Sequence, residues 1–131
     1  MMREPNELNY DECQVMAIVN LTPDSFYGAS RQTTLDDVRG RLYEAMSEGA
    51  TIVDLGGYSS RPGAEDVSLE EEWRRVRMGL EAVSDMEHSV VVSIDTFRAE
   101  IVRRAVREFG PIMVNDISAG EMDDDMVRVV A

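Results

Sequence analysis

Four short apolar runs alternate along the chain with segments whose apolar residues recur every three or four positions. Residues 15–19, 51–55, 90–94 and 112–114 are rich in Val and Ile and almost unbroken in their hydrophobicity, the pattern of strands buried on both faces. Each run gives way to a polar side chain: Asn20, Asp54, Asp95, and Asn115 with Asp116. Between the first two, Thr34 precedes Leu35, Val38, Leu42, Ala45 and Met46, with Asp37 placed to complete a capping box and Gly49 to end the helix. Ser68 and Glu71 repeat the capping box before Leu69, Trp73, Val76, Leu80 and Val83. A third helix carries Ile101, Val102, Ala105, Val106 and Phe109 and stops at Gly110; a fourth starts at Met122, with Met126, Val127 and Val130 on one side.

Four strand-then-helix units with continuous apolar strands imply an α/β fold with a parallel sheet covered by helices. Two architectures compete. One is a complete doubly wound domain; the other is the first four βα units of a TIM (β/α)8 barrel, which needs about 250 residues in full. The polar side chain at every strand's carboxyl end favours the barrel, because there those ends share one rim, whereas a doubly wound sheet gathers them only at its switch point. The ending within the fourth helix points the same way, to a barrel truncated in that helix. The expected organisation is a polar lead-in over 1–14 and the N-terminal half of a barrel domain over 15–131.

Composition narrows the chemistry. With 131 residues, 44% hydrophobic and 30% charged, the chain can build one real core. No apolar run approaches the roughly 20 residues of a membrane span, and no basic-then-apolar leader is present, so a soluble cytoplasmic protein is expected. A formal charge of -13 opposes nucleic acid and anionic membranes as partners. An anionic substrate therefore needs a local cationic site. All 13 basic residues are arginine, which excludes a Schiff-base lysine or a lysine phosphate clamp within this segment, and the one histidine excludes a histidine metal centre or an internal Ser/His/Asp triad. Cys13 has no partner for an internal disulfide and reads as a free thiol without function.

The candidate chemistry centres on residues 52–64, where a buried strand turns into Gly56-Gly57-Tyr58-Ser59-Ser60-Arg61-Pro62-Gly63. Glycines permit close backbone approach, and an arginine fork beside hydroxyls suits an oxyanion such as phosphate. An ordinary loop with a solvated Arg61 is the alternative. A carboxylate or amide at the end of a buried strand is costly unless paired, so the four strand ends imply a shared polar network or a ligand. Asp54 can do its work by accepting loop amide protons. Asp95 as acceptor and the Asn115 amide as donor and acceptor suit a flat heterocycle with an amino-pyrimidinone edge, while Asp116 can cap its loop. Glu70-Glu71-Glu72 reads as a solvated first helical turn, Trp73 as core, His88 as a surface residue, and Arg74, Arg75, Arg77, Arg103, Arg104 and Arg107 as helix-exterior residues paired with acids.

Taken together, the rim segments resemble dihydropteroate synthase of folate biosynthesis. The matching pieces are Asn20-Leu21-Thr22-Pro23-Asp24-Ser25-Phe26, Asp54-Leu55-Gly56-Gly57 with Ser60-Arg61-Pro62-Gly63, Ser93-Ile94-Asp95-Thr96 and Asn115-Asp116-Ile117-Ser118. The resemblance runs from about Val15 to Ala131 and implies a pterin-binding barrel of which this is the N-terminal half. It implies a transferase, in a family targeted by sulfonamides, that joins 4-aminobenzoate to a dihydropterin pyrophosphate and releases pyrophosphate with Mg2+ assistance. By the same resemblance Asn20 would help to bind the magnesium pyrophosphate, Ser60 and Arg61 would contact pyrophosphate, and Asp95 and Asn115 would hold the pterin edge with Ile117 against its face. Phe26 and Pro62 would shape the aminobenzoate pocket, and Asp95, Arg61 and Asp54 would stabilise the charges that develop. A homodimer is implied for the full-length protein. Tyr58 replaces the family's commoner acid, Ser59-Ser60 stand where a Ser-Thr pair is commoner, with Ser60 keeping a hydroxyl, and Ala17 replaces a glycine. Later motifs of the family would lie beyond Ala131, so the isolated segment is expected to be inactive.

Two other readings stand beside this one. The same Asp95 and Asn115 chemistry would serve a pterin- or folate-binding module of a methyltransferase, which has no pyrophosphate for Arg61 to hold. A self-contained interaction domain with an incidental strand-end pattern would melt cooperatively as a monomer.

Overall fold

The computed structural model describes residues 13–22, 34–58, 67–86, 90–116, 120 and 122–130. They form β1 (Met16–Asn20), α1 (Leu35–Ser47), β2 (Ile52–Gly56), α2 (Leu69–Ser84), β3 (Val91–Asp95), α3 (Ala99–Phe109), β4 (Met113–Asn115) and α4 (Met126–Val130). All three strand pairs are parallel, and the sheet order is β1-β2-β3-β4. Sequential order decides between the two candidate architectures. A doubly wound sheet reverses direction at its switch point, whereas a barrel adds each strand beside the last.

Strand alternation sorts the side chains into two faces. Val19, Val53, Leu55 and Ile94 point toward the helices and are fully buried with Val38, Leu42, Val76, Leu80, Ile101 and Ala105 in one core. All of the first three helices thus cover the same face, as on the outside of a barrel. Gly79 lets α2 approach closely, since a Cβ there would lie 3.1 Å from side-chain carbons of Leu21 and Leu55. The opposite face carries Ile18, Asp54, Ser93 and Met113 in one register row, and Asn20, Gly56, Asp95 and Asn115 in the next.

The helix boundaries follow local chemistry. Thr34 Oγ1 accepts from the Asp37 amide at 3.2 Å while Asp37 accepts from the Thr34 amide at 3.0 Å, the predicted reciprocal cap. At α2 half of the predicted box forms: Ser68 Oγ accepts from the Glu71 amide at 3.1 Å, but Glu71 turns instead to Arg74 and Arg75. Gly110 ends α3 at φ 95°, a conformation only glycine adopts easily.

The strands run one residue past the expected ends, because the backbones of Asn20, Gly56, Asp95 and Asn115 stay in the ladder while the side chains change character. The fourth helix starts at Met126 rather than Met122. Asp123 accepts from the amides of Ala99 at 2.8 Å and Asp125 at 2.9 Å, forming a turn before the helix. Of the apolar side predicted there, Met126 alone is buried; Val127 and Val130 are exposed. Among the described residues no helix is long and apolar enough to cross a membrane.

Candidate active site

The register places Asn20, Gly56, Asp95 and Asn115 side by side at the carboxyl rim, with Asp54 and Ser93 one layer deeper on the same face. Residues 20 to 115 of the sequence meet there because each βα unit returns the chain to the same end of the sheet. Gly56 is the smallest member of the row. A Cβ there would lie 3.6 Å from the Asp95 side chain, so glycine keeps the space beside that carboxylate open.

The network within these layers is specific. Asn115 Nδ2 donates to Asp54 Oδ2 at 3.1 Å, which leaves the second N–H and the carbonyl oxygen of the amide for other partners. Asp54, only 3% exposed, therefore accepts from a side chain and not from the loop amides anticipated for it. Among the described residues its Oδ1 and the hydroxyl of fully buried Ser93 have no partner, and a buried polar atom in that condition costs about 1–3 kcal/mol. Both sit on the face that bears the rim, one layer below Asp95. Asn20 Oδ1 accepts from the Thr22 amide at 3.0 Å, which fixes its carboxamide. Asp116 caps its loop, accepting from the Gly120 amide at 3.0 Å.

Asp95 is the electrostatic centre of the site. Burial, and then the Asp54 carboxylate, push it up to about 6; Glu72 and Asp116 add to the rise, and a hydrogen bond from Tyr58 opposes it. Tyr58 Oη donates to Asp95 Oδ1 at 3.4 Å, and its ring meets Phe97 edge to face at 5.2 Å. Burial above all, with Asp95 next, raises the phenol, so Tyr58 stays a donor throughout the working range. An acceptor-rich floor of this kind suits a ring edge rich in N–H donors and opposes an anion. Among the described residues, two arginines beside the segments that follow β2 and β3 are engaged: Arg98 with Glu72 and the Val67 carbonyl, Arg75 with Glu71 and the Gly57 carbonyl.

Glu72 corrects the sequence reading. It is not a solvated member of an acidic turn but fully buried, accepting from Thr96 Oγ1 at 2.6 Å and Arg98 Nη1 at 3.0 Å. The signal was in the spacing, since Glu72 lies three residues after Leu69 and four before Val76, on the apolar stripe. Ser93 and Thr96 were also passed over, although Ser93 shares the face of Asp95 by simple alternation. Arg74, Arg77, Arg103 and Arg104 pair with acids as expected. Phe26, Ser60, Arg61, Pro62, His88 and Ile117 lie outside the described residues. The structure thus brings together Asn20, Asp54, Asp95 and Asn115.

Among the described residues, no three His, Cys, Asp or Glu side chains gather as a metal site. The oxygen of Asn20 suits a single protein contact to Mg2+, an ion that commonly takes its other ligands from phosphates and water.

Residues 16–131 match the sequence profile of the family described as pterin binding enzyme. The dihydropteroate synthase of Bacillus subtilis is 40% identical over 129 residues, covering 98% of this chain and 45% of that protein. A mitochondrial folate synthesis bifunctional protein of Arabidopsis thaliana is 40% identical over 123 residues, covering 92% of this chain and 22% of its own length. The dihydropteroate synthase of Xanthomonas albilineans solved with 4-aminobenzoic acid superposes with a TM-score of 0.83 at 38% identity, covering 94% of this chain and 45% of the other. The same enzyme in complex with 7,8-dihydropteroate gives 0.77 at 34% identity. The chain spans less than half the length of these relatives.

Proposed function

Because this chain belongs to the pterin-binding enzyme family, we propose that the protein is a dihydropteroate synthase and that these residues supply half of its site. The observation that carries the reading is the convergence of Asn20, Asp95 and Asn115 in one register row above the Asp54 carboxylate. Relatives solved with 4-aminobenzoic acid and with 7,8-dihydropteroate support the substrates: a dihydropterin pyrophosphate and 4-aminobenzoate.

In this reading Asp95 accepts from the amino-pyrimidinone edge of the pterin, and Asn115, oriented by Asp54, supplies the complementary donor and acceptor. Ile117 lies against the ring face, while Phe26 and Pro62 shape the aminobenzoate pocket. The amine nitrogen attacks the pterin methylene carbon, the bond to the pyrophosphate oxygen breaks with its electron pair, and the amine loses a proton. As the pyrophosphate departs, cationic character develops at the pterin methylene, which Asp95 and Asp54 stabilise electrostatically. Ser60 and Arg61 hold the pyrophosphate. Asn20 would hold Mg2+, which when bound neutralises charge on the leaving group. The same reading carries a cytoplasmic enzyme, a homodimer of the full-length protein and sensitivity to sulfonamides as competitors of aminobenzoate.

The test is product formation by the full-length protein. Mixed with dihydropterin pyrophosphate, 4-aminobenzoate and Mg2+, it should release dihydropteroate and one pyrophosphate per turnover, and added pyrophosphate should compete. Absence of product, or methyl transfer from a folate substrate, would overturn the reading.

A further inference from the structure

Two rim segments that meet the substrate in this reading are joined by a buried ion pair. Glu72, in the first turn of α2, is 0% exposed; its Oε2 accepts from Thr96 Oγ1 at 2.6 Å and its Oε1 from Arg98 Nη1 at 3.0 Å. Thr96 directly follows Asp95, and its own oxygen accepts from the Arg98 amide at 3.1 Å. Arg98 then donates through Nη2 to the Val67 carbonyl at 2.6 Å. On the other flank of residues 59–66, Gly57 lies against Glu72: a Cβ at Gly57 would sit 3.0 Å from the Glu72 carbonyl oxygen and 3.2 Å from its Cγ. Phe97 completes the junction, with the Arg98 guanidinium 5.2 Å from its ring centroid and the Tyr58 ring at 5.2 Å.

A carboxylate without exposure is costly, and its partners only partly offset that cost. Burial raises Glu72 above the usual carboxylate range despite the Thr96 and Arg98 contacts. Apolar residues of similar volume are often as stable as such a pair, so stability alone gives little reason for one here. What the pair does supply is direction, because a bidentate acceptor and a planar fork define the relative position of the groups they join.

We propose that Glu72 and Arg98 are positioning residues: together they fix the segment after β3, and with it Asp95, against both flanks of the 59–66 segment. The proposal rests on the synthase reading for its assay and goes beyond it in assigning two residues that touch no substrate. Misplacing a binding group by about 1 Å can cost on the order of 100-fold in rate. The carboxylate of Glu72 is also one of the charges around Asp95, together with Asp54 on β2 and Asp116 after β4, while the neutral Tyr58 hydroxyl donates to it.

The experiment uses the full-length protein and two variants, Glu72→Gln and the apolar pair Glu72→Met with Arg98→Met. The apolar pair should melt within about 4 °C of the wild type, yet lose roughly 10- to 100-fold in kcat/KM for dihydropterin pyrophosphate. Glu72→Gln keeps the shape and removes the charge, so the acid limb of kcat/KM should move to lower pH. A folded apolar pair with wild-type kcat/KM overturns the proposal. If that variant does not fold, Glu72→Gln decides alone, and an unmoved acid limb overturns it. Failure of the synthase reading is separate: a wild type that makes no product leaves dihydropterin binding as the readout, and equal affinity of wild type and Glu72→Gln at every pH then overturns the proposal.

Discussion

In the proposed reading Asp95 serves the site at a cost to the fold. Its folded pKa of about 6 lies above the ordinary 3.8 because burial and Asp54 disfavour its charge. For a group raised in this way the folded state binds the proton more tightly, so stability is lost as pH climbs from about 4 through 6. Asp95→Asn, which mimics the neutral acid, should therefore melt above the wild type at pH 7.5, and the gap should close by pH 4; thermal melts of the full-length protein at both pH values check this. Binding should run the other way, with pterin affinity of the wild type falling as pH drops through 6, since a protonated carboxyl loses acceptor capacity. At Gly57 the constraint is steric. Gly57→Ala places a methyl 3.0 Å from a helix backbone oxygen, and urea titration should show a loss of about 1–3 kcal/mol. The meeting of Asp95 and Asn115 at one rim was legible in the sequence because polar groups at the ends of apolar runs need a reason. Glu72 was not, because a run of three acids at a helix start already has one in the helix dipole, and only the stripe of Leu69 and Val76 distinguishes the third.

At the level of elements, the helices show how much short-range chemistry settles. Thr34 and Asp37 satisfy each other's amides, and Thr34→Ala should cost about 1 kcal/mol in urea titration. The strands were found with their ends one residue short, for a physical reason: apolar character marks the buried stretch, but ladder hydrogen bonds belong to the backbone and continue beneath Asn20, Asp95 and Asn115. The fourth helix was placed four residues early. Periodicity carries no information about Asp123, whose carboxylate takes amides from both α3 and its own turn.

At the scale of the whole molecule, sequential strand order turns four separate strand ends into one rim, and that step needed only the repetition of the βα unit. The face that bears the rim is less covered than the helix side. Ile18 is 69% exposed on edge strand β1, with Val15 and Met16 beside it, and the β1 edge is covered in part by the Arg41 side chain bonding to the Ile18 carbonyl at 3.2 Å. Exposed apolar edges of this kind invite pairing. The isolated 131 residues should thus sediment as a dimer or larger species and form no dihydropteroate, whereas a cooperative monomer would favour a self-contained domain. The central claim is that distant strand ends converge to grip one pterin ring. It is tested most directly by calorimetric binding of a dihydropterin pyrophosphate to the full-length protein and to its Asp95→Ala and Asn115→Ala variants. The account predicts saturable wild-type binding that weakens by at least about 10-fold in each folded variant, consistent with about 1–3 kcal/mol per lost buried hydrogen-bond partner. Equal affinity in all three proteins would contradict it.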